Sequence, residues 1–157
     1  MSNNDRQLRD HLLDLLRGGN AHLHFDDLIK DFPTELINKK IDGVPYTAWQ
    51  VLEHMRIAQW DILEFSRNAA HVSPSWPEGY WPAPADTSAT VEDWNKSIES
   101  FRADLRELET LVNDSSVDLF APIPHGTGQT MLREALLAAD HNAYHLGVLT
   151  LMKRIGS

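Results

Sequence analysis

No cysteine occurs anywhere in the 157 residues. That absence removes disulfides, zinc ribbons, nucleophilic thiols and cysteine-held iron–sulfur clusters in one step. It fits a reducing compartment, so the expected location is cytoplasmic. Long hydrophobic runs are missing as well. No stretch approaches the roughly 20 apolar residues that a membrane-spanning helix needs. The opening MSNNDRQLRDHLLDLL interleaves its leucines with Asp and Arg, unlike the charged-then-apolar region of a secretory signal. Positive charge is scarce. Lys and Arg total 14 against 23 Asp and Glu, a net charge of -9, and the densest basic pair, Lys39-Lys40, sits beside Asp42. A nucleic-acid partner would need a basic patch to displace counterions, so neither nucleic acid nor membrane is an expected partner. There is also no phosphate loop, dinucleotide fingerprint or Ser/His/Asp signature.

What is present is ordinary for a globular protein, with 42% hydrophobic and 24% charged residues. A chain of this length can bury a proper core, and residues 1–157 read as one domain. Four long helical segments stand out, and no alternating strand pattern competes with them. The first runs from about Asn4 to Arg17, with Leu8, Leu12 and Leu15 on one side, and stops at Gly18-Gly19. The second opens with Thr47 and Gln50 in capping-box spacing, with Tyr46 placed to staple onto Val51, and runs to about Asn68. The third starts near Thr90 and carries Trp94, Ile98, Phe101, Leu105, Leu108 and Val112 in an unbroken three-four stripe. The fourth starts near Thr130 and ends with Lys153-Arg154 and a Gly156 cap. The spacing predicts an all-α four-helix bundle. Its connections are long, with short helical pieces around His24–Lys30 and Thr34–Asn38 split by Pro33, so crossovers are open to it.

Chemistry concentrates in two of these helices. His141 and His145 stand at i and i+4 and project from one face. Their stripe reads Glu134, Ala138, His141, His145, Val148 and Met152. The second helix has the stripe Thr47, Val51, His54, Ala58, Asp61 and Phe65. Imidazoles aimed into a helical core are costly to bury unless their ring nitrogens are satisfied. Core histidines bonded to neighbours would do that. A divalent metal would do so too, and three histidine ligands leave one coordination position open. Zinc, nickel, iron and cobalt all accept imidazole, with zinc or nickel favoured here.

These residues carry a family likeness. The W-x-x-x-x-H run from Trp49 to His54, the IAQWDILEF that follows it, the LREALLAADHNAYHLG run from Leu132 to Gly147 and the terminal LMKRIG together resemble the DinB/YfiT-like metalloproteins. The resemblance spans nearly the whole chain. It implies an up-down-down-up four-helix bundle, with one histidine on the second bundle helix and H-x-x-x-H on the last binding a divalent metal. Mapped onto this sequence, the ligands would be His54, His141 and His145. It also implies a homodimer and small-molecule chemistry, including S-transfer from a low-molecular-weight thiol. With no cysteine in the chain, such a thiol would arrive as a cosubstrate.

Other residues have more than one reading. Asp61, on the His54 stripe, can ligate, orient an imidazole or act as a catalytic base, and an ion pair or rim position is equally open. His125 lies in the loop APIPHGTGQ and reads more simply as a solvated histidine than as a contact at the mouth of the site. His22 and His24 read as surface or helix-cap residues, and His11 and His71 have no companions. Trp76, Tyr80 and Trp81 form an aromatic loop that either covers a pocket or meets a second subunit. Trp49, Trp60 and Trp94 read as packing. Two function classes follow: a metal-dependent small-molecule enzyme, of hydrolase or thiol S-transferase type, and a non-catalytic metal-binding or stress-response bundle.

Overall fold

The computed structural model describes residues 2–83 and 86–156, so the last residues of the aromatic run SWPEGYWPAPA, 84 and 85, lie outside the described residues. The chain is all-helical. Among the described residues five α-helices follow one another: α1 (Asn3–Arg17), α2 (Phe25–Lys30), α3 (Ala48–Arg67), α4 (Val91–Asn113) and α5 (Met131–Gly156). Short 3-10 turns occupy Thr34–Leu36 and Glu78–Tyr80. Among the described residues there is no strand, only an isolated bridge between Pro122 and Thr130.

The helix ends follow from local chemistry. Ser2 caps α1 by accepting from the Asp5 amide, and α1 stops at Gly18, whose φ of 73° suits a residue without Cβ. Thr47 and Gln50 form a reciprocal capping box at α3, and Thr90 with Asp93 forms another at α4. His24 caps α2, its Nδ1 accepting from the Asp26 amide at 3.1 Å, as the cap reading of that residue expects. Tyr46 stacks on Trp81 with ring centroids 3.9 Å apart.

The stripes predict burial well in α3 and α4, whereas on α5 Glu134, Ala138 and Met152 are buried and His141, His145 and Val148 are half-buried. Val51, His54, Ala58 and Asp61 are buried on α3, and Trp94, Ile98, Phe101, Leu108 and Val112 are buried on α4. α1 differs from expectation. Leu15 is 50% exposed, and the buried line runs through Arg9, Leu12, Leu13 and Leu16. Arg9 shares that line and its guanidinium reaches the end of α4, so positions 9, 12, 13 and 16 make one face, with 15 outside it.

α3 lies along both α4 and α5, and α1 closes against the other sides of those two helices. One core cluster gathers Trp49, Leu52 and Met55 of α3 with Trp94, Ile98 and Phe101 of α4 and Leu146, Leu149 and Met152 of α5. The segment carrying α2 docks Phe25, Leu28, Leu36 and Ile37 into the same cluster, which is why so long a connection is ordered. A second cluster joins Leu12, Leu13 and Leu16 of α1 to Ile62, Leu63, Leu108, Val112, Met131 and Ala135. Fully burying each of these larger side chains stabilises the fold by about 1.5–3 kcal/mol before entropy is counted. Polar bonds pin the pairings: Ser97 donates to Glu53, Gln59 to the Phe101 carbonyl and Arg67 to Glu107. No helix among the described residues is long and apolar enough to cross a membrane.

Candidate metal centre

The seam between α3 and α5 brings His54, His141 and His145 together. Their ligand atoms all lie within 4.8 Å of one another, and His54 Nε2 stands 3.0 Å from His141 Nε2. The other ring pairs sit with centroids 4.6 Å apart for His54 and His145 and 4.5 Å apart for His141 and His145. The i,i+4 step on α5 stacks two imidazoles, and the packing of α5 on α3 supplies the third.

The protonation pattern of His54 follows from its surroundings. Its Nδ1 lies 2.8 Å from the Tyr80 carbonyl oxygen, which only accepts, so Nδ1 carries the proton. The ring is neutral, because burial lowers its pKa, an effect only opposed by the Tyr80 bond. Nε2 therefore presents a lone pair toward the α5 histidines. Those two are held neutral more firmly. Burial, reinforced by the His54 charge, lowers His141 to about 4. Burial and then the charges of His141 and His54 lower His145 to about 3.

His145 Nδ1 is buried without a hydrogen-bond partner. Buried polar atoms are rarely left so, and each exception calls for an explanation. Three neutral imidazoles that repel one another's protons, one with an orphaned nitrogen, are a donor set that a divalent cation would satisfy. The residues present fit a metal. Among the described residues no carboxylate joins the group.

The loop before α4 closes over this seam. Trp81 lies flat on His54, with centroids 4.1 Å apart and planes 5° from parallel. Of the aromatic loop, Trp81 and Tyr80 thus face the site, while Trp76 is 76% exposed. Trp81 also borders a surface cleft lined with Trp49, Glu53, Arg56, Asp93 and Lys96. A more enclosed cavity lies elsewhere, among Leu16, Phe25, Met55, Phe101, Asn142 and Leu146, and does not touch the three imidazoles.

Asp61 is buried on the same α3 stripe, but both its oxygens are taken. The Tyr80 hydroxyl donates to Oδ2 at 2.6 Å, and His71 Nε2 donates to Oδ1 at 2.7 Å. His71, without a role in the sequence, thus has a buried partner. Nothing in its spacing announced this, because the contact depends on how the chain turns back after α3. Burial and the Asp61 carboxylate push the Tyr80 hydroxyl up to about 12, so it remains a donor. His125 is exposed and bonds the Phe65 carbonyl at 2.6 Å, tying its loop to the end of α3 rather than reaching the imidazoles. Trp49 and Trp94 are buried as packing residues, and Trp60 meets His71 edge-on.

The described residues thus form an all-helical chain in which one histidine on α3 and the H-x-x-x-H pair on α5 are placed where they could hold a metal ion. The sequence model of the DinB superfamily matches residues 21–149, and the chain belongs to that superfamily. No curated protein and no solved structure matches it.

Proposed function

We propose that the chain is a divalent-metal-binding protein whose site at His54, His141 and His145 serves a metal-dependent small-molecule enzyme of hydrolase or thiol S-transferase type. The observation that carries this reading is the orphaned, buried His145 Nδ1 beside two further neutral imidazoles. Zinc or nickel is the preferred ion for three imidazoles. Once bound, such a cation with an open position would lower the pKa of a bound water to about 7, or hold the thiolate of a low-molecular-weight thiol.

The chain's own residues do the rest. The Tyr80 carbonyl keeps the His54 proton on Nδ1, which leaves Nε2 for the ion. Trp81 shields one face of His54 from water.

The same reading takes residues 1–157 as one four-helix bundle in up-down-down-up order. The register supports it. Residues 53, 59 and 67 of α3 meet 97, 101 and 107 of α4 in rising order, which suits parallel helices. The start of α3 shares a cluster with the end of α5, and the end of α3 with the start of α5, as antiparallel helices do. A homodimer is part of the proposal, supported by exposed Leu136, Tyr144, Leu151 and Ile155 on α5. Light scattering should give twice the chain mass, with an interface burying about 1,200–2,000 Å². A cytoplasmic location accords with the lack of cysteine.

The deciding experiment is elemental analysis of untagged protein, followed by a screen for hydrolysis and thiol-dependent transfer with and without the ion. Stoichiometric metal with turnover that chelation removes supports the reading. Protein that neither carries nor takes up a divalent ion refutes it.

A further inference from the structure

Asp61 sits just under two helical turns from His54 on α3, and its carboxylate bonds the loop after α3 rather than joining the three imidazoles. His71 and Tyr80 come from two ends of that loop, and both donate to it, at 2.7 and 2.6 Å. The hydrogen-bonded pair of His71 and Asp61 is enclosed, its side chains 6% and 12% exposed. One buried carboxylate therefore gathers the loop at residues 71 and 80. The next two atoms along the chain are the ones that matter to His54: the Tyr80 carbonyl on Nδ1 and the Trp81 ring on its face.

We propose that Asp61 is a positioning residue, which clamps the loop through His71 and Tyr80 so that the Tyr80 carbonyl and Trp81 set the tautomer and orientation of His54. The inference rests on the metal reading only for its purpose; the clamp itself is a matter of hydrogen bonds. Of the roles open to Asp61, ligand and base both require an oxygen directed at the site, whereas Asp61 stands outside the group of ligand atoms and turns both oxygens to donors on the loop. A carboxylate can accept from two donors at once, and an imidazole and a phenol on one loop cannot replace it by bonding each other in the same geometry. Without the acceptor, the loop loses two charge-assisted bonds and the carbonyl loses its fixed place. The His54 proton is then free to move to Nε2, the nitrogen that faces His141.

The test uses the full chain in metal-free form, at about pH 8, above the ordinary imidazole range. Two-bond proton–nitrogen correlations of the histidine side chains report which ring nitrogen of His54 carries the proton. The wild type should show Nδ1–H alone. Asp61→Ala and Tyr80→Phe should each populate Nε2–H, and the double variant should go no further than Asp61→Ala, because the two act through one bond. Asp61→Asn should largely restore the wild-type pattern, since a carboxamide accepts from Tyr80 and donates to His71 after a change of His71 tautomer. Zinc affinity, read by chelator competition, should fall about 10–100-fold in the alanine and phenylalanine variants. If Asp61→Ala does not fold, Tyr80→Phe, which removes a single hydroxyl, carries the test. Folded variants with a lower melting temperature but unchanged His54 tautomer and zinc affinity overturn the proposal. So does a wild type whose His54 carries its proton on Nε2. A wild type that shows the predicted tautomers yet binds no zinc sinks the metal reading and leaves the clamp standing.

Discussion

Polar side chains enter the interior at the α1–α4 seam and at the α3–α5 seam, and they meet different company there. Arg9, 3% exposed, is fully met: Nη1 donates to the Val112 and Asp114 carbonyls at 2.7 and 2.9 Å, Nη2 to Val117 at 2.7 Å and Nε to Asp5 at 3.1 Å. The carbonyls at the end of α4 have no partners within the helix, and a cation suits that end of the dipole. The three histidines are met only in part. His54 has the Tyr80 carbonyl, His141 has only a neighbouring imidazole that shares its need, and His145 Nδ1 has nothing. A buried polar group whose bonds are all made holds a fold together. One whose bonds are missing in an otherwise well-packed interior is waiting for something from outside.

The largest expected effect tests the histidine side of that contrast. His141→Ala should weaken zinc binding by more than the roughly 100-fold that loss of a surrounding hydrogen-bond partner costs. The Arg9→Met variant should leave zinc affinity unchanged. Chelator competition on both variants checks this, and equal losses in the two would erase the distinction between the seams.

Next comes the arginine. Arg9→Met removes four donated bonds and leaves buried carbonyls unpaired, so the free energy of unfolding should drop by about 3 kcal/mol. Urea unfolding with an unchanged slope measures it. A loss within about 0.5 kcal/mol, the usual range of a neutral surface change, would show that water replaces the guanidinium at no cost.

The two seams were not equally legible in the sequence. His54, His141 and His145 were readable because each interrupts an otherwise apolar three-four stripe, and a periodic pattern exposes an exception. The ends of α3 and α4 were readable from Thr47 with Gln50 and Thr90 with its acidic third residue, since capping is local. Arg9 was not, because it is bonded to residues more than a hundred positions away, and an arginine between leucines on α1 looks like the edge of a solvated face. Leu15 was misplaced because α1 buries Leu12, Leu13 and Leu16, a face with room for Leu16 in place of Leu15. His71 escaped notice because its partner is fixed by the turn after α3, which no periodicity reports.

A third, smaller effect separates the seams by pH. For metal-free protein, His141 and His145 have folded values of about 4 and about 3 against an ordinary 6.5. Between those values the unfolded chain binds more protons than the folded one, so stability rises with pH there. The contribution is fully present above 6.5 and drains away as pH falls toward 4 and below. Replacing both residues by phenylalanine should flatten this part of the stability profile, whereas Arg9→Met should shift the whole profile down without changing its slope. Thermal unfolding across the range distinguishes the two. A wild-type profile that is level from 6.5 to 4 would mean that the imidazoles take up protons in the folded state, and that they are not held neutral.

The smallest expected change is in the helical spectrum when metal is stripped from the wild type. Where a metal is structural, its binding energy is folding energy, and the apo chain unfolds. Here two apolar clusters flank the imidazoles, one built on Trp49, Met55, Phe101 and Leu149 and the other on Leu16, Leu63, Leu108 and Met131, and neither includes a histidine. The burial that drives folding is therefore in place without the ion. Chelation should leave the far-ultraviolet spectrum unchanged and lower the melting temperature only by mass action, about 2.7 kcal/mol of stabilisation being withdrawn if the free ion had stood at a hundred times its dissociation constant. That outcome keeps the α3–α5 seam as a site borne by a self-sufficient fold, as a catalytic metal requires. A collapse to an unfolded spectrum would instead place the histidines beside Arg9 as structural elements, with the ion as their missing partner.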